Sequence, residues 1–564
     1  VITGGADVAA EADATDGEED AAEDSLVPNS EENFVADIAN PNRKICVVTT
    51  ACLPWMTGTA VNPALRAAYL TADRPPGAVT LLVPWVSMED QHKLFPKGVY
   101  FEDEAEQREY VLDWIANKAG MPLAARKIRI EFYYGRYHRD YGSIFSMGSI
   151  MNQVPEEQND ICILEEPEHL NWYRFPEIGW LDKFRYVVGI VHTNYVGYAK
   201  LEKGQWAVPI VEGLNKMMCK AYCHKVIKLS GTLQIYAPEK ECICNVHGVR
   251  QVFLDNGREA ALKGGEGGGF KKGAYFVGKT LWAKGHRELL GLMKHYRKTM
   301  NGQCFPIDIY GNGPDQEDVT ATMAKNKLPV TMKGYGDHAE LKDYRVFVNP
   351  SITEVLCTTV AEALAMGKWV VCPKHPSNDF FAGFASCLQY EDEDEFGAAV
   401  HWALHHEPPP LAPEDLRSLS WGAAMERLVE SAELDMHGLS MTQGTVKDLK
   451  KSRKKARSTF DHAIEKFYYR LGQGEQGDFI RKVFFNGLSV SDQVKYSKNP
   501  TDIVSKDSEQ SKEAETRAKQ ALEKKEAEAR ETEERERKEK EAAAAAEAAA
   551  EAAEAAAKSA AAEV

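Results

Sequence analysis

Residues 345–373 read RVFVNPSITEVLCTTVAEALAMGKWVVCP, and this stretch decides the fold. RVFVNP (345–350) and KWVVCP (368–373) are short, nearly continuous apolar runs rich in β-branched residues. Such runs predict strands buried on both faces, as in a parallel sheet covered by helices. Between them a hydroxyl-rich loop gives way to a small-residue helix that begins near Thr358. Two carboxylates stand eight positions apart in this unit, Glu354 in the strand-to-helix loop and Glu362 one turn inside the helix. Ligands of open α/β sheets bind beyond the carboxyl ends of the strands. A helix start offers free N–H groups and a positive dipole end, which suits phosphate. A loop glutamate can accept hydrogen bonds from sugar hydroxyls, and one in the first turns from the paired hydroxyls of a ribose. Taken alone, two glutamates at a helix start are more often simply solvated.

The same alternation extends in both directions. KICVVTT (44–50), VTLLVPW (79–85), KIRIEFY (127–133), DICILE (160–165), YVVGIVH (186–192) and KVIKLS (225–230) read as one series of buried strands. GAYFVG (273–278), PIDIYG (306–311) and LPVTMKG (328–334) join the two opening strands in a second series. The pattern predicts two doubly wound α/β domains with a cleft between them. The expected division is an N-terminal domain over 41–262, a glycine-rich linker or loop over 263–273, and a C-terminal domain with its return helix over 274–440. An acidic head, 1–40, is expected to be disordered from its low hydrophobicity. A basic amphipathic helical region is expected over 441–500. A charged, alanine-rich tail over 501–564 reads as a solvated helix, because it has no sustained apolar seam.

The 564 residues carry a net charge of −17, which argues against general nucleic-acid binding. Eleven cysteines show no disulfide framework or zinc spacing and read as free thiols in a reducing compartment. No apolar run approaches the ~18 residues of a membrane span, so any membrane contact is expected to be peripheral. Trp85, Leu94, Phe95, Tyr133, Tyr134 and Tyr137 are mostly expected in the core. Lys450, Lys451, Lys454 and Lys455 are better candidates for contact with anionic lipid, each cation contributing about 1 kcal/mol near such a surface. The chain opens on Val1, which leaves its true start undecided, and the acidic head is unlike a basic transit peptide.

Three further loops carry chemistry. In GKTLWAKGH (278–286), Lys279 and Lys284 can neutralise a diphosphate. In PWMTGTA (54–60), Gly58 permits close backbone approach, and Thr57 and Thr59 add hydroxyls. In VHTNY (191–195), His192 ends a strand. No G-x-G-x-x-G follows the first strand, which excludes the usual dinucleotide-dependent oxidoreductase. No Asp-x-Asp metal motif stands out at a suitable loop.

The series PWMTGTAVNP, GIVHTNY, GKTLWAKG, IYGNGP and E-x7-E resembles retaining glycosyltransferases of the GT-B fold, over about residues 43–435. Finer matches, TTACLPWMTGTAVNPALRAAYL (49–70), EEPEHLNWYR (165–174), FRYVVGIVHTNY (184–195), TVAEALAMGKWVVCPKHPSNDFF (359–381) and LSWGAAMERL (419–428), resemble the galactolipid-forming galactosyltransferases of chloroplast envelopes. The resemblance implies UDP-galactose as donor, a galactolipid acceptor, no bound cofactor and peripheral attachment to the chloroplast outer envelope membrane. It implies that Glu362 holds the ribose and Glu354 the transferred sugar. Lys279 and Lys284 would bind the diphosphate, and His192 would lie near the reaction centre. Thr57 and Gly58 would face the diphosphate from the acceptor side, and Val355, Leu356, Cys357 and Thr358 would present backbone to it. Gly334 and Tyr335 would lie near the uracil. The chain departs from many relatives in reading Glu354-Val355-Leu356-Cys357 where they read E-G-F-G, and in having Lys279 where they have arginine. A different acceptor for the same chemistry, or a non-catalytic scaffold, are the rival readings.

Overall fold

A computed structural model describes residues 37–138, 142–147, 149–172, 179–263 and 269–433, leaving aside the side chains of 201–203 and 263. The candidate membrane lysines 450, 451, 454 and 455, most of the acidic head and the charged tail lie outside the described residues.

The first domain is built on eight strands: β1 (Ile45–Val48), β2 (Val79–Val86), β3 (Arg129–His138), β4 (Ser143–Ser146), β5 (Ile161–Glu165), β6 (Tyr186–Val191), β7 (Lys225–Lys228) and β8 (Glu241–Ile243). Their spatial order is β4-β3-β2-β1-β5-β6-β7-β8, parallel throughout except for the antiparallel edge pair β3–β4. Ile45 stands in register with Val79 on one side and Ile161 on the other, and all four β1 residues are buried. The second sheet holds β9 (Lys272–Val277), β10 (Ile307–Tyr310), β11 (Val330–Gly334), β12 (Tyr344–Val348), β13 (Trp369–Pro373) and β14 (Cys387–Tyr390). Its order is β11-β10-β9-β12-β13-β14, parallel at every pairing. Both sheets are doubly wound, and the GT-B arrangement expected from the pattern is present. Each sheet reverses its winding once, between β1 and β5 and between β9 and β12.

Seven helices position the site and join the domains: α1 (Gly58–Leu70), α2 (Tyr195–Lys203), α3 (Val208–Tyr222), α4 (Gln251–Lys263), α5 (His286–Thr299), α6 (Thr358–Ala365) and α7 (Trp421–Ala432). One expected boundary is corrected. Helix α4 falls before the glycine-rich stretch 263–273, which on sequence alone puts it in the first domain. Its Phe253 and Leu254 instead join the second domain's core. The chain therefore crosses near Val249, not at the glycines. It crosses back beside the same point, where Val249 N–H donates to Leu419 C=O at 2.9 Å and Val249 bridges Ser420. Helix α7 then buries Trp421, Ala424 and Leu428 in the first domain's core, with Trp421 stacked on Tyr69 at 5.9 Å. Trp85, Phe95 and Tyr133 are core residues, as expected. All eleven cysteines are free thiols. No helix among the described residues is long and apolar enough to cross a membrane.

Helices α4 and α6 approach closely at Gly257, where an added Cβ would stand 1.9 Å from Ala365 C=O. Alanine is favoured over glycine in a helix by ~1 kcal/mol, whereas overpacking against backbone costs about 1–3 kcal/mol and sometimes more. The clash should win. Gly257→Ala is expected to lower the unfolding free energy, read as a lower urea midpoint with an unchanged m-value. A rise in the midpoint would show that the two helices are not in contact in solution.

Candidate active site

The two reversal points carry the site. After β9 the chain enters the lysine loop, and Gly285, at φ +93°, turns it into α5. After β12 it enters the Glu354 loop and then α6. The two loops lie side by side, and Lys284 Nζ donates to Glu354 Oε1 at 3.0 Å. Burial works against the Lys284 charge, but Glu354 and the Tyr198 hydroxyl outweigh it and hold its pKa above that of an ordinary lysine. Tyr198 belongs to α2 of the first domain, so this pair already spans the cleft. The loop after β10 supports the lysine loop from behind. There Gly311, at φ +139°, leaves room that a Cβ would fill at 1.8 Å from Gly278 C=O.

Glu362 faces the cleft from α6. His338 Nδ1 donates to its Oε2 at 2.7 Å, and the Tyr275 hydroxyl donates to His338 Nε2 at 2.8 Å. His338 and Tyr275 are buried, so the Glu362 carboxylate is oriented from the core side.

The first domain contributes a second charged group. Arg66 on α1 donates through Nε to Glu165 Oε1 at 2.5 Å, and His192 Nε2 pairs with the other carboxylate oxygen. Burial alone would raise the Glu165 pKa, but Arg66 and His192 outweigh it and hold the carboxyl below its usual range. The His247 ring lies 5.1 Å from His192. Asn62 Nδ2 donates to its Nδ1 at 3.2 Å, which leaves a buried Nε2 without a hydrogen-bond partner. Burial, then the charges of His192, Arg66 and Arg427, hold His247 well below the ordinary histidine pKa. Glu165, His192 and His247 offer ligand atoms within 4.8 Å of one another, the candidate metal cluster among the described residues. Arg66 occupies one of those oxygens, and the positive surroundings oppose a second cation.

A cavity of about 190 Å³ lies between the domains, lined by Thr57, Gly58, Asn62 and His247 on one side and Leu356, Thr358 and Glu362 on the other. Thus Thr57, Gly58, Leu356, Thr358 and Glu362 come together as the sequence suggested. Other candidates lie elsewhere. Lys279 is exposed, while Lys284 is tied to Glu354. Val355 and Cys357 are buried. The Val355 side chain joins the first domain's core, and Cys357 Sγ accepts from Asn349 Nδ2 at 2.9 Å. Gly334 ends the edge strand β11 at φ +73°, followed by the highly exposed Tyr335, and neither lines the cavity. His192 stands behind His247 rather than on the cavity wall. The sequence does not single out Arg66, Glu165, His247, His338 or Tyr198. Glu165 opens the quoted EEPEHLNWYR, but nothing local distinguishes it from a packed strand end.

Residues 269–411 match the family model for glycosyl transferases group 1. The chain is 45% identical over 403 residues to soybean (Glycine max) digalactosyldiacylglycerol synthase 1, chloroplastic, covering 71% of this chain and 50% of that one. It is 44% identical over 397 residues to soybean digalactosyldiacylglycerol synthase 2, chloroplastic, covering 69% of this chain and 83% of the relative. The chain thus spans about half the length of the longer relatives it matches. Among solved structures, a UDP-forming α,α-trehalose-phosphate synthase from Burkholderia vietnamiensis superposes with a TM-score of 0.43 at 10% identity. It covers 72% of this chain and 99% of that one, a likeness too slight to build on.

The Arg66–Glu165 pair is fully buried on both sides. Removing one charge strands the other, which costs about 3–5 kcal/mol. Glu165→Gln should therefore unfold at markedly lower urea, and the double replacement Arg66→Met/Glu165→Leu should recover most of the loss. A single variant within ~1 kcal/mol of the parent would mean that the pair is not buried in solution.

Proposed function

We propose a function from one premise: the chain belongs to the digalactosyldiacylglycerol synthase family. It transfers galactose from UDP-galactose to monogalactosyldiacylglycerol with retention at the anomeric carbon, releasing UDP. The observation that carries the reading is the cleft itself. A core-anchored glutamate on one side faces a threonine and a histidine on the other, and beside them a cation–carboxylate pair reaches across to Tyr198.

Glu362, oriented by His338, takes the ribose hydroxyls. Lys284 takes the diphosphate, joined by the N–H groups at the start of α6. Its partner Glu354 is then placed for the hydroxyls of the sugar attached to that diphosphate. Breaking the sugar–phosphate bond puts negative charge on the departing diphosphate and positive charge on the sugar. Donors fixed in advance stabilise the first without reorganisation. Lys279, exposed on the same loop as Lys284, adds positive charge to that loop as the donor approaches. His192, with Nε2 held by Glu165, stands behind the His247 ring and backs the sugar side from there. Attack from the front face, with the leaving phosphate taking the acceptor proton, accounts for retention without a carboxylate nucleophile. The relatives' chloroplastic names support a chloroplast setting, and we place the enzyme peripherally on the outer envelope.

The test is a product assay. Purified protein is given UDP-galactose and monogalactosyldiacylglycerol in mixed micelles. Mass spectrometry should find a second hexose on the lipid, and NMR an α linkage. Losing a charged hydrogen bond costs about 1.5–3 kcal/mol, so Glu362→Ala should lower kcat/KM on the order of 10–100-fold. UDP binding without any lipid product would shift the reading to another acceptor.

A further inference from the structure

The described residues expose several large apolar side chains, and four of them gather beside the cleft mouth on the first domain. Tyr198 lies on α2. Trp206, 59% exposed, sits on the turn Gln205–Ala207 that leads directly into α3, and Ile210, 44% exposed, follows one helical turn later. Ile235, 57% exposed, lies on a loop tied to α3 where Gln234 Nε2 donates to Glu212 C=O at 3.0 Å.

Helix α3 is apolar over more of its circumference than its core contact requires. Asn215, Met218, Cys219 and Tyr222 form the buried face. Ile210 and the half-buried Leu214, with Trp206 on the turn just before the helix, form a second stripe at helical spacing on another side. A single exposed apolar residue needs no explanation, whereas a contiguous group marks a contact surface. The segment 199–216 carries three lysines and two glutamates, and Glu212 pairs with Lys216 at 2.6 Å. The segment's net charge is thus only +1. Trp and Tyr suit a boundary that is apolar on one side and wet on the other. The patch also reaches the chemistry, because the Tyr198 hydroxyl contacts Lys284.

We propose that the α2–α3 surface rests on a lipid bilayer of low net charge, and that it sets the depth at which the acceptor headgroup meets the Lys284–Glu354 pair. The inference rests on the functional reading above. A galactolipid presents its sugar only at the bilayer surface while its acyl chains stay in the membrane, so the cleft mouth must come to that surface. Tyr198 links the patch to the mouth. A nearly neutral docking surface binds by inserting apolar side chains, so its attachment is insensitive to salt.

The test uses the full chain and vesicles of phosphatidylcholine with monogalactosyldiacylglycerol, both without net charge. The protein should float with the vesicles at low and high salt alike. W206S/I210S should reduce the floated fraction by at least about tenfold, whereas W402S, an exposed tryptophan on the other domain, should not. Transfer from UDP-galactose to soluble galactosylglycerol should be unchanged in W206S/I210S, which shows that the variant is folded. Transfer to the vesicle acceptor should fall. Three results overturn the docking proposal: a double variant that floats like the parent, a parent that does not float, or a double variant whose only change is a smaller oligomer, which would make the patch a contact between copies. A parent that floats but transfers galactose to neither acceptor overturns the functional reading instead.

Discussion

At a reversal point in a doubly wound sheet, two neighbouring parallel strands send the following chain to opposite faces, so their loops must part. The crevice that opens is a consequence of strand order. In this chain the order is fixed by apolar runs, which bury completely only when flanked on both sides. Each sheet has one reversal point, and the polar groups of the site collect at both. At β1 and β5 the Thr50 hydroxyl donates to Glu166 at 2.6 Å, beside the Arg66–Glu165–His192 group. At β9 and β12 stand Lys284 and Glu354. The chain crosses between the domains twice at one place, around Val249 and Ser420, and so holds the two crevices face to face.

The two ion pairs at these points differ in a way that divides their work. Arg66 and Glu165 have no exposed side-chain surface. Separating them would leave charges in a medium that cannot solvate them, so the pair is fixed and holds His192 in place. Lys284 and Glu354 keep 23% and 27% of their side chains exposed. A partly exposed pair is held less firmly than a fully buried one, so under the proposed function a diphosphate could take over Lys284 at smaller cost than it could break the Arg66–Glu165 pair. The cleft thus combines one immovable charged support with one exchangeable pair.

The fold is legible because central strands read as apolar runs. The strands that carry no such signal, β4, β8 and β14, are short and lie at sheet edges, where no apolar run is needed. The glycine-rich stretch misleads because glycine marks a flexible connection wherever it falls, whereas the allegiance of α4 is decided by where Phe253 and Leu254 pack. Of the site, the loop-and-helix residues can be read, since strand–loop–helix spacing puts Glu354, Thr358 and Glu362 near a strand end. The supporting residues cannot. His338 stands 24 positions from Glu362, and Arg66 stands 99 from Glu165. Only the tertiary fold makes either pair neighbours. Spacing also gives the two lysines equal standing, and burial separates them.

The departure at Val355-Leu356-Cys357 takes on a structural meaning. Glycines at these positions would leave the loop free to adapt to phosphate. Here Val355 packs into the first domain's core, although its loop belongs to the second. Its carbonyl accepts from the first domain's Thr232 Oγ1 at 3.4 Å, and Cys357 is held from below by Asn349. The loop carrying Glu354 is therefore fastened across the cleft. A loop built from glycine could stay with its own sheet while the domains rotate. This one must move with the opposite domain or give up a buried valine, a loss of about 1.5–3 kcal/mol. The position of Glu354 beside Lys284 is thereby coupled to the angle between the domains, through side chains where a glycine loop would have none.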